Sequence, residues 1–300
     1  AASDVYKRQV YERYGLESVE MIRQNPYVLC ENKLVPFAIA DRIAKDLDFS
    51  ADEPKRVDTA LLYVLNDYAG NKGHTFLIIN RLPEDCNAFL KESGEIKGSL
   101  SKRHIDAAVA RCRSNGQIVT EGERVYSKKR YESEKTVADI LRARIDVKSR
   151  YAAVPKEKIE ACVAEIQEEL EVELDPLQRE AVEMALCNQT SILTGGAGCG
   201  KTTTLRFIIG VMEKLSKICR ISGVEIALAA PTGMAAKRMK ASTGKEAKTI
   251  HKLIEYNPAL PALTLNEDNP LPYDFVIVDE LSMVDIDTCL LYTSDAADDM

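Results

Sequence analysis

What the chain lacks narrows it first. In its 300 residues, no apolar run approaches the roughly 18 residues of a membrane-crossing helix. The N-terminus has no apolar core of the kind that directs secretion. Metal-binding spacing is missing as well: eight cysteines, at positions 30, 86, 112, 162, 187, 199, 219 and 289, include no C-x-x-C pair. His74, His104 and His251 are too dispersed to complete a zinc ligand set. This usage fits reduced thiols in a cytoplasmic protein with no membrane attachment. A net positive charge is missing overall, since 47 Asp or Glu outnumber 40 Lys or Arg for a net charge of −7, which argues against a nucleic acid gripped over the whole surface. The balance is uneven, however. Residues 157–183 are crowded with carboxylates, whereas residues 237–252 carry six Lys or Arg against one Glu. A local basic face therefore stays open.

What is present describes an ordinary globular chain, 45% apolar and 29% charged, long enough for two or three domains. Residues 10–95 read as a helical, helix-hairpin-helix-like region. Ile39, Ile43 and Leu47 keep one helical face, and Val57, Leu61, Leu62 and Leu65 another. Asn25-Pro26-Tyr27 starts a turn and Gly73-His74-Thr75 breaks the second run. A hairpin gripping a DNA backbone would fall at Leu34-Val35-Pro36-Phe37, which has no glycine to open it, so a plain helical bundle fits equally; His74 reads as structural. Residues 96–150 read as a winged-helix-like region. A helix through Leu100, Ile105, Val109 and Cys112 precedes a hairpin, Ile118-Val119 and Val125-Tyr126 around Glu121-Gly122-Glu123. Its basic residues, Lys102, Arg103, Arg111, Arg113, Lys128, Lys129 and Arg130, suit either phosphate contacts or a solvated surface. Pro155 then opens a linker helix within 151–173, with Ile159, Val163, Ile166 and Leu170 on one face.

The informative stretch lies beyond it. Gly195, Gly200, Lys201 and Thr202 occupy the fixed positions of the G-x-x-x-x-G-K-[ST] phosphate loop. Glycines let successive backbone N–H groups turn inward on phosphate oxygens, and the following helix adds the positive end of its dipole. The candidate nucleotide contacts are Gly195, Gly196, Ala197, Gly198, Cys199, Gly200, Lys201, Thr202 and Thr203. Lys201 would reach the β- and γ-phosphates of ATP, and the Thr202 hydroxyl would take a place on Mg²⁺. A short β-prone run, Ile192-Leu193, leads into the loop, and an apolar helical pattern from Leu205 to Leu215 follows. Cys199, beside Lys201 and a helix start, is a candidate reactive thiol or simply a small residue filling the loop. Upstream, Asp175 as N-cap, Pro176 and Gln178 make a capping-box-like helix start. Gln178 is explained equally by that cap and by reading an adenine base. Downstream, Glu225 to Ala230 is β-prone and ends in Pro231-Thr232-Gly233, before a helix from Met234 to about Ala241. Phe275-Val276-Ile277-Val278 runs into Asp279 and Glu280, the pattern of a buried parallel strand with acids at its C-terminal end. Asp279 would hold Mg²⁺, and Glu280 would position and deprotonate the attacking water.

The finer residues resemble one family. Leu174-Asp175-Pro176-Leu177-Gln178-Arg179-Glu180-Ala181-Val182 is similar to the adenine-reading Q motif of superfamily 1 helicases. Ala230 to Met239 resembles their motif Ia, Ala247 to Leu253 the segment after it, and Asp279 to Asp285 motif II. Together they resemble the RecD-like ATP-dependent DNA helicases. Asn25-Pro26-Tyr27, Ala40 to Ala44 and Gly73-His74-Thr75 resemble that family's N-terminal helical region. The resemblance implies an α/β P-loop NTPase with a RecA-type lobe over 174–288 and a parallel sheet, 5′-to-3′ movement, and single-stranded DNA as partner. It places Pro231, Thr232, Gly233, Thr249 and His251 on the DNA strand, with Lys237 and Arg238 nearby; for these two basic residues an exposed helix face is the plain alternative.

Departures matter too. The family continues past motif II with a sensor strand containing Gly-Asp-x-x-Gln and a second lobe supplying an arginine finger; neither is here. The lobe is therefore expected to be incomplete, with an unpaired sheet edge and at most nucleotide binding and slow hydrolysis. Residues 1–9 and 289–300 fit no helicase motif and are expected to be non-native tails on a gene fragment. Two other readings stay open: a non-motor ATP-binding switch, and part of a conjugative relaxase-helicase.

Overall fold

The computed structural model describes residues 15–31, 34–68, 70, 72–196, 198–218, 224–256 and 269–295. The chain divides into two compact units, residues 1–134 and 135–300.

The first unit opens with α1 (Ser18–Gln24), α2 (Val28–Glu31), α3 (Phe37–Asp46) and α4 (Pro54–Tyr63). In α4 the apolar spacing works as expected: Val57 and Leu61 are buried, as is Leu65 in the π-turn that extends the helix, with Leu62 half-buried. In α3 the buried face is shifted. Phe37, Ala40, Asp41 and Ala44 point inward, while Ile39 and Ile43 are only partly covered and Leu47 is exposed. The reason is a buried ion pair. Asp41 and Arg56 are both fully buried, and Arg56 Nε donates to Asp41 Oδ1 at 2.7 Å. Tyr27 Oη donates to the same carboxylate at 2.7 Å, and the Glu95 and Ile96 amides donate to Oδ2 at 2.6 and 3.0 Å. Arg56 Nη2 donates to Asp41 Oδ2 at 3.2 Å and to the Ile96 carbonyl, and Nη1 donates to the Ala51 carbonyl. Each guanidinium nitrogen and each carboxylate oxygen therefore has a partner, the condition for burying such a pair.

A short strand, β1 (Leu77–Ile78), follows, where sequence periodicity leads one to expect only helices. Then come α5 (Leu82–Ser93), α6 (Lys102–Ser114), β2 (Ile118–Glu121) and β3 (Arg124–Ser127). The antiparallel order is β1-β3-β2, with Leu77 opposite Val125 and Glu121 opposite Arg124. Gly122 takes φ +59° in the tight β2–β3 turn, a conformation that favours glycine at the first position of a two-residue hairpin. After α5 and α6 the β2–β3 hairpin closes back on β1. The next helix, α7, spans Lys128–Ile145.

The second unit packs α8 (Lys156–Leu170), α9 (Pro176–Cys187) and α10 (Lys201–Ile218) together. Ile159, Val163 and Ile166 of α8 meet Val182 and Leu186 of α9 and Phe207, Val211, Met212 and Leu215 of α10. Gly210 lets α8 and α10 approach closely, since a Cβ there would stand 2.9 Å from Ile166 Cδ1. The chain continues through β4 (Ile226–Ala230), α11 (Gly233–Thr243), β5 (Ala247–Thr249), α12 (Ile250–Leu253), β6 (Phe275–Val278) and α13 (Ile286–Asp295). The sheet is parallel, ordered β5-β4-β6. Leu228 packs with Ile209 and Met239, while Ala227 and Ala229 pack with Ile250, Leu253 and Leu271, so both faces are covered.

The sheet is partial. The run expected to lead into the phosphate loop as a strand makes no ladder: residues 191–196 carry no strand, and Ile192 and Leu193 are 72% and 40% exposed. A parallel strand needs a neighbour to accept its hydrogen bonds, and among the described residues none lies beside this run. β6 has the matching condition: among the described residues it pairs with β4 alone, and all four of its residues are half-buried. Among the described residues no helix is long and apolar enough to cross a membrane.

Candidate active site

The loop after residue 194 is built by glycine and by one cap. Gly198 and Gly200 take φ +78° and +79°, the left-handed region open to glycine at little cost. Lys201 opens α10, which directs that helix's free N–H groups at the loop. Thr204 Oγ1 ties back to the Gly200 carbonyl at 3.1 Å. Lys201 Nζ donates to the Gly195 and Gly196 carbonyls at 2.6 and 2.7 Å and lies 3.9 Å from Cys199 Sγ. The ammonium thus holds the loop closed on itself, and an incoming phosphate would have to draw it off two carbonyls. Thr202 is exposed and Thr203 half-buried, while Ala197 lies outside the described residues.

Gln178 serves the cap and touches the loop at once. Its backbone N–H donates to Asp175 Oδ1 at 2.9 Å, and its Oε1 accepts from the Asp175 N–H at 3.1 Å, completing the capping box of α9. The other end of the amide lies against Gly200, where a Cβ would stand 2.3 Å from Gln178 Nε2. The cap is therefore real, and it sets the side chain beside the phosphate loop.

Parallel pairing gathers the remaining candidates. Ala230 stands opposite Thr249 and Ala229 opposite Val278, so three strands end at one edge, and ligand sites in such sheets lie outside that carboxyl edge. Pro231, Thr232 and Gly233 leave β4 there, Thr249 and His251 leave β5, and Asp279 and Glu280 leave β6. The two threonines have a structural task. Thr232 Oγ1 accepts from Ala235 N–H and Thr249 Oγ1 from Lys252 N–H, both at 3.2 Å, capping α11 and α12. A capping hydroxyl still has its own proton to donate. Lys237 and Arg238 are exposed on α11, and among the described residues neither has an ion-pair partner. His251 is exposed, with its ring against Tyr256, a residue that sequence motifs did not single out. Asp279 and Glu280 are exposed; Asp279 Oδ1 accepts the Glu280 N–H at 2.9 Å, and Glu280 takes φ +55°. Among the described residues, no hydrogen bond or ion pair joins these acids to the 195–203 loop. The exposed Thr202 hydroxyl and Asp279 carboxylate are nevertheless oxygen donors of the type Mg²⁺ takes.

A glycine-built loop opening a helix, beside a parallel sheet with acids at its carboxyl edge, defines a P-loop NTPase. Residues 178–295 match the family model described as an AAA domain, and residues 3–76 match the ATP-dependent RecD2 DNA helicase HHH domain. The chain is 26% identical over 287 residues to the ATP-dependent RecD2 DNA helicase of Deinococcus radiodurans, covering 92% of this chain and 37% of that protein. It is 34% identical over 126 residues to the RecBCD enzyme subunit RecD of Mycolicibacterium smegmatis, covering 36% and 23%. In both of its parts the chain is RecD-like. It spans only 37% and 23% of the length of these two relatives. The two family matches reach residues 3 and 295, inside both terminal stretches that carry no helicase motif.

Proposed function

We propose that the chain binds Mg-ATP at the 195–203 loop and a single DNA strand along the carboxyl edge of the sheet, as part of a longer 5′-to-3′ DNA helicase acting in the cytoplasm. The observation that carries this reading is the shared edge: register sets the residues after β4, β5 and β6 side by side, with a phosphate-type loop in the same unit. Gly195, Gly196, Ala197, Gly198, Cys199, Gly200 and Thr203 hold phosphates through backbone N–H groups, and Lys201 leaves the Gly195 and Gly196 carbonyls for phosphate oxygens. Gln178 presents its free amide end at the loop for the adenine. Thr202 and Asp279 hold Mg²⁺, which when bound neutralises charge on the transferred phosphoryl group. Glu280 orients and deprotonates the attacking water. Pro231, Thr232, Gly233, Thr249 and His251 line the strand path, with Lys237 and Arg238 on phosphates.

An arginine finger supplies about 10³–10⁵ in rate in enzymes of this kind, and in RecD-like helicases it comes from a second lobe. ATP turnover with and without oligo-dT, beside Lys201→Ala and Glu280→Gln, tests the reading. Slow turnover that DNA raises and both variants lose supports it. Turnover unchanged in Lys201→Ala contradicts it.

A further inference from the structure

We propose that Tyr256, steadied by His251, is a stacking platform for one base of the single strand, with Lys248 and Lys252 on the flanking phosphates. The inference rests on the strand path described above and adds a residue to it. The two rings meet edge to face, with centroids 5.4 Å apart and planes at 70°. The Tyr256 N–H donates to the His251 carbonyl at 2.9 Å. Just before it, Glu255 takes φ +52° and turns the chain back toward His251. A non-glycine residue in that region is strained, so the turn that returns the ring is held against a local preference.

Packing does not account for the ring. Ile250, Leu253 and Ile254 fill the core beneath, whereas Tyr256 remains 43% exposed. An aromatic ring fixed in orientation but left open to water suits a flat partner. Lys248 and Lys252 are exposed on either side of His251 in the chain, and among the described residues neither makes an ion pair. Lys248 Nζ lies 3.4 Å from Tyr273 Oη, a neutral group that leaves its charge free. Close to this ring in the chain, Glu246 is engaged by Lys240, and among the described residues Glu255 makes no ion pair. Duplex bases have their faces covered by neighbours, so a ring offered for stacking selects a single strand, as sequence-tolerant single-strand binders do.

The test compares binding of the whole chain to fluorescent oligo-dT and to an abasic strand of equal length. Wild type should prefer oligo-dT by roughly tenfold, the scale of one stacked base. Tyr256→Ala should lose that preference by weakening oligo-dT binding alone, with an unchanged salt slope and unchanged ATP affinity. Tyr256→Phe and Tyr256→Trp should keep it, and Lys248→Ala with Lys252→Ala should flatten the salt slope on both strands. Equal binding of oligo-dT by wild type and Tyr256→Ala would overturn the platform and leave the strand path standing. An equal loss on the abasic strand, a loss in Tyr256→Phe, or a fall in ATP affinity would also overturn it. A wild-type chain that binds neither strand would remove the strand path itself.

Discussion

Gly200→Ala is the substitution whose effect the loop geometry specifies most fully. Position 200 takes φ +79°, and an added Cβ would meet Gln178 Nε2 at 2.3 Å and Cδ at 3.6 Å. The left-handed conformation costs an alanine about 1–2 kcal/mol. Moving the Gln178 amide aside also breaks its bond from the Asp175 N–H, worth about 0.5–1.5 kcal/mol. The loop is exposed, so it would relax to another shape rather than unfold the domain. Binding must then restore the strained shape, and a penalty of roughly 2 kcal/mol raises the ATP dissociation constant by about 10–30-fold. Gly196 provides the control: a Cβ there meets nothing within 4 Å, and its φ is ordinary. Titrating a fluorescent ATP analogue should show Gly200→Ala weakened by this factor and Gly196→Ala nearly unchanged. Thermal melting should differ little among the three chains. Wild-type affinity in Gly200→Ala, or an equal loss in Gly196→Ala, would refute the reasoning.

Other expectations follow from buried groups. Arg56→Met should destabilise the first unit by about 3–5 kcal/mol, because it strands a fully buried Asp41 carboxylate; urea unfolding reads this, and a loss under 1 kcal/mol would count against the ion pair. Burial pushes the Asp41 carboxyl up, but the Arg56, Ile96 and Tyr27 hydrogen bonds outweigh it and hold its pKa below the ordinary value. Its stabilising contribution is therefore full above the unfolded-state value of about 4 and fades as pH falls below it. Acid titration should show that fall flattened in Asp41→Asn. Burial also pushes the Cys30, Cys86 and Cys112 thiols up to about 12, whereas Cys199 is exposed. Maleimide at neutral pH should modify Cys199 ahead of those three, and Mg-ATP should protect it; equal labelling with and without nucleotide would contradict the loop assignment.

The features legible in sequence are those whose cause is local. The loop glycines announce backbone turns, Asp175 and Gln178 announce a cap through their spacing, and the runs of β4 and β6 announce strands that end in the candidate residues. The illegible features depend on partners far along the chain. Asp41 pairs with Arg56 fifteen residues away, and that pair shifts the buried face of α3 from where hydropathy sets it. Leu77–Ile78 is a strand only because Val125 and Arg124 pair with it. Ile192 and Leu193 have strand chemistry but, among the described residues, no neighbouring strand, so propensity alone makes no strand there. Tyr256 is an ordinary residue until the turn at Glu255 brings it onto His251.

Equilibrium binding of Mg-ATP to the wild-type chain and to Lys201→Ala decides whether the 195–203 loop holds the nucleotide. Lys201 now bonds to the Gly195 and Gly196 carbonyls, and in this account it transfers to phosphate when nucleotide arrives. Saturable one-to-one binding by wild type, weakened at least tenfold in Lys201→Ala, is the predicted result. Binding of equal strength in both chains would contradict the account, because the nucleotide would then sit somewhere other than the 195–203 loop.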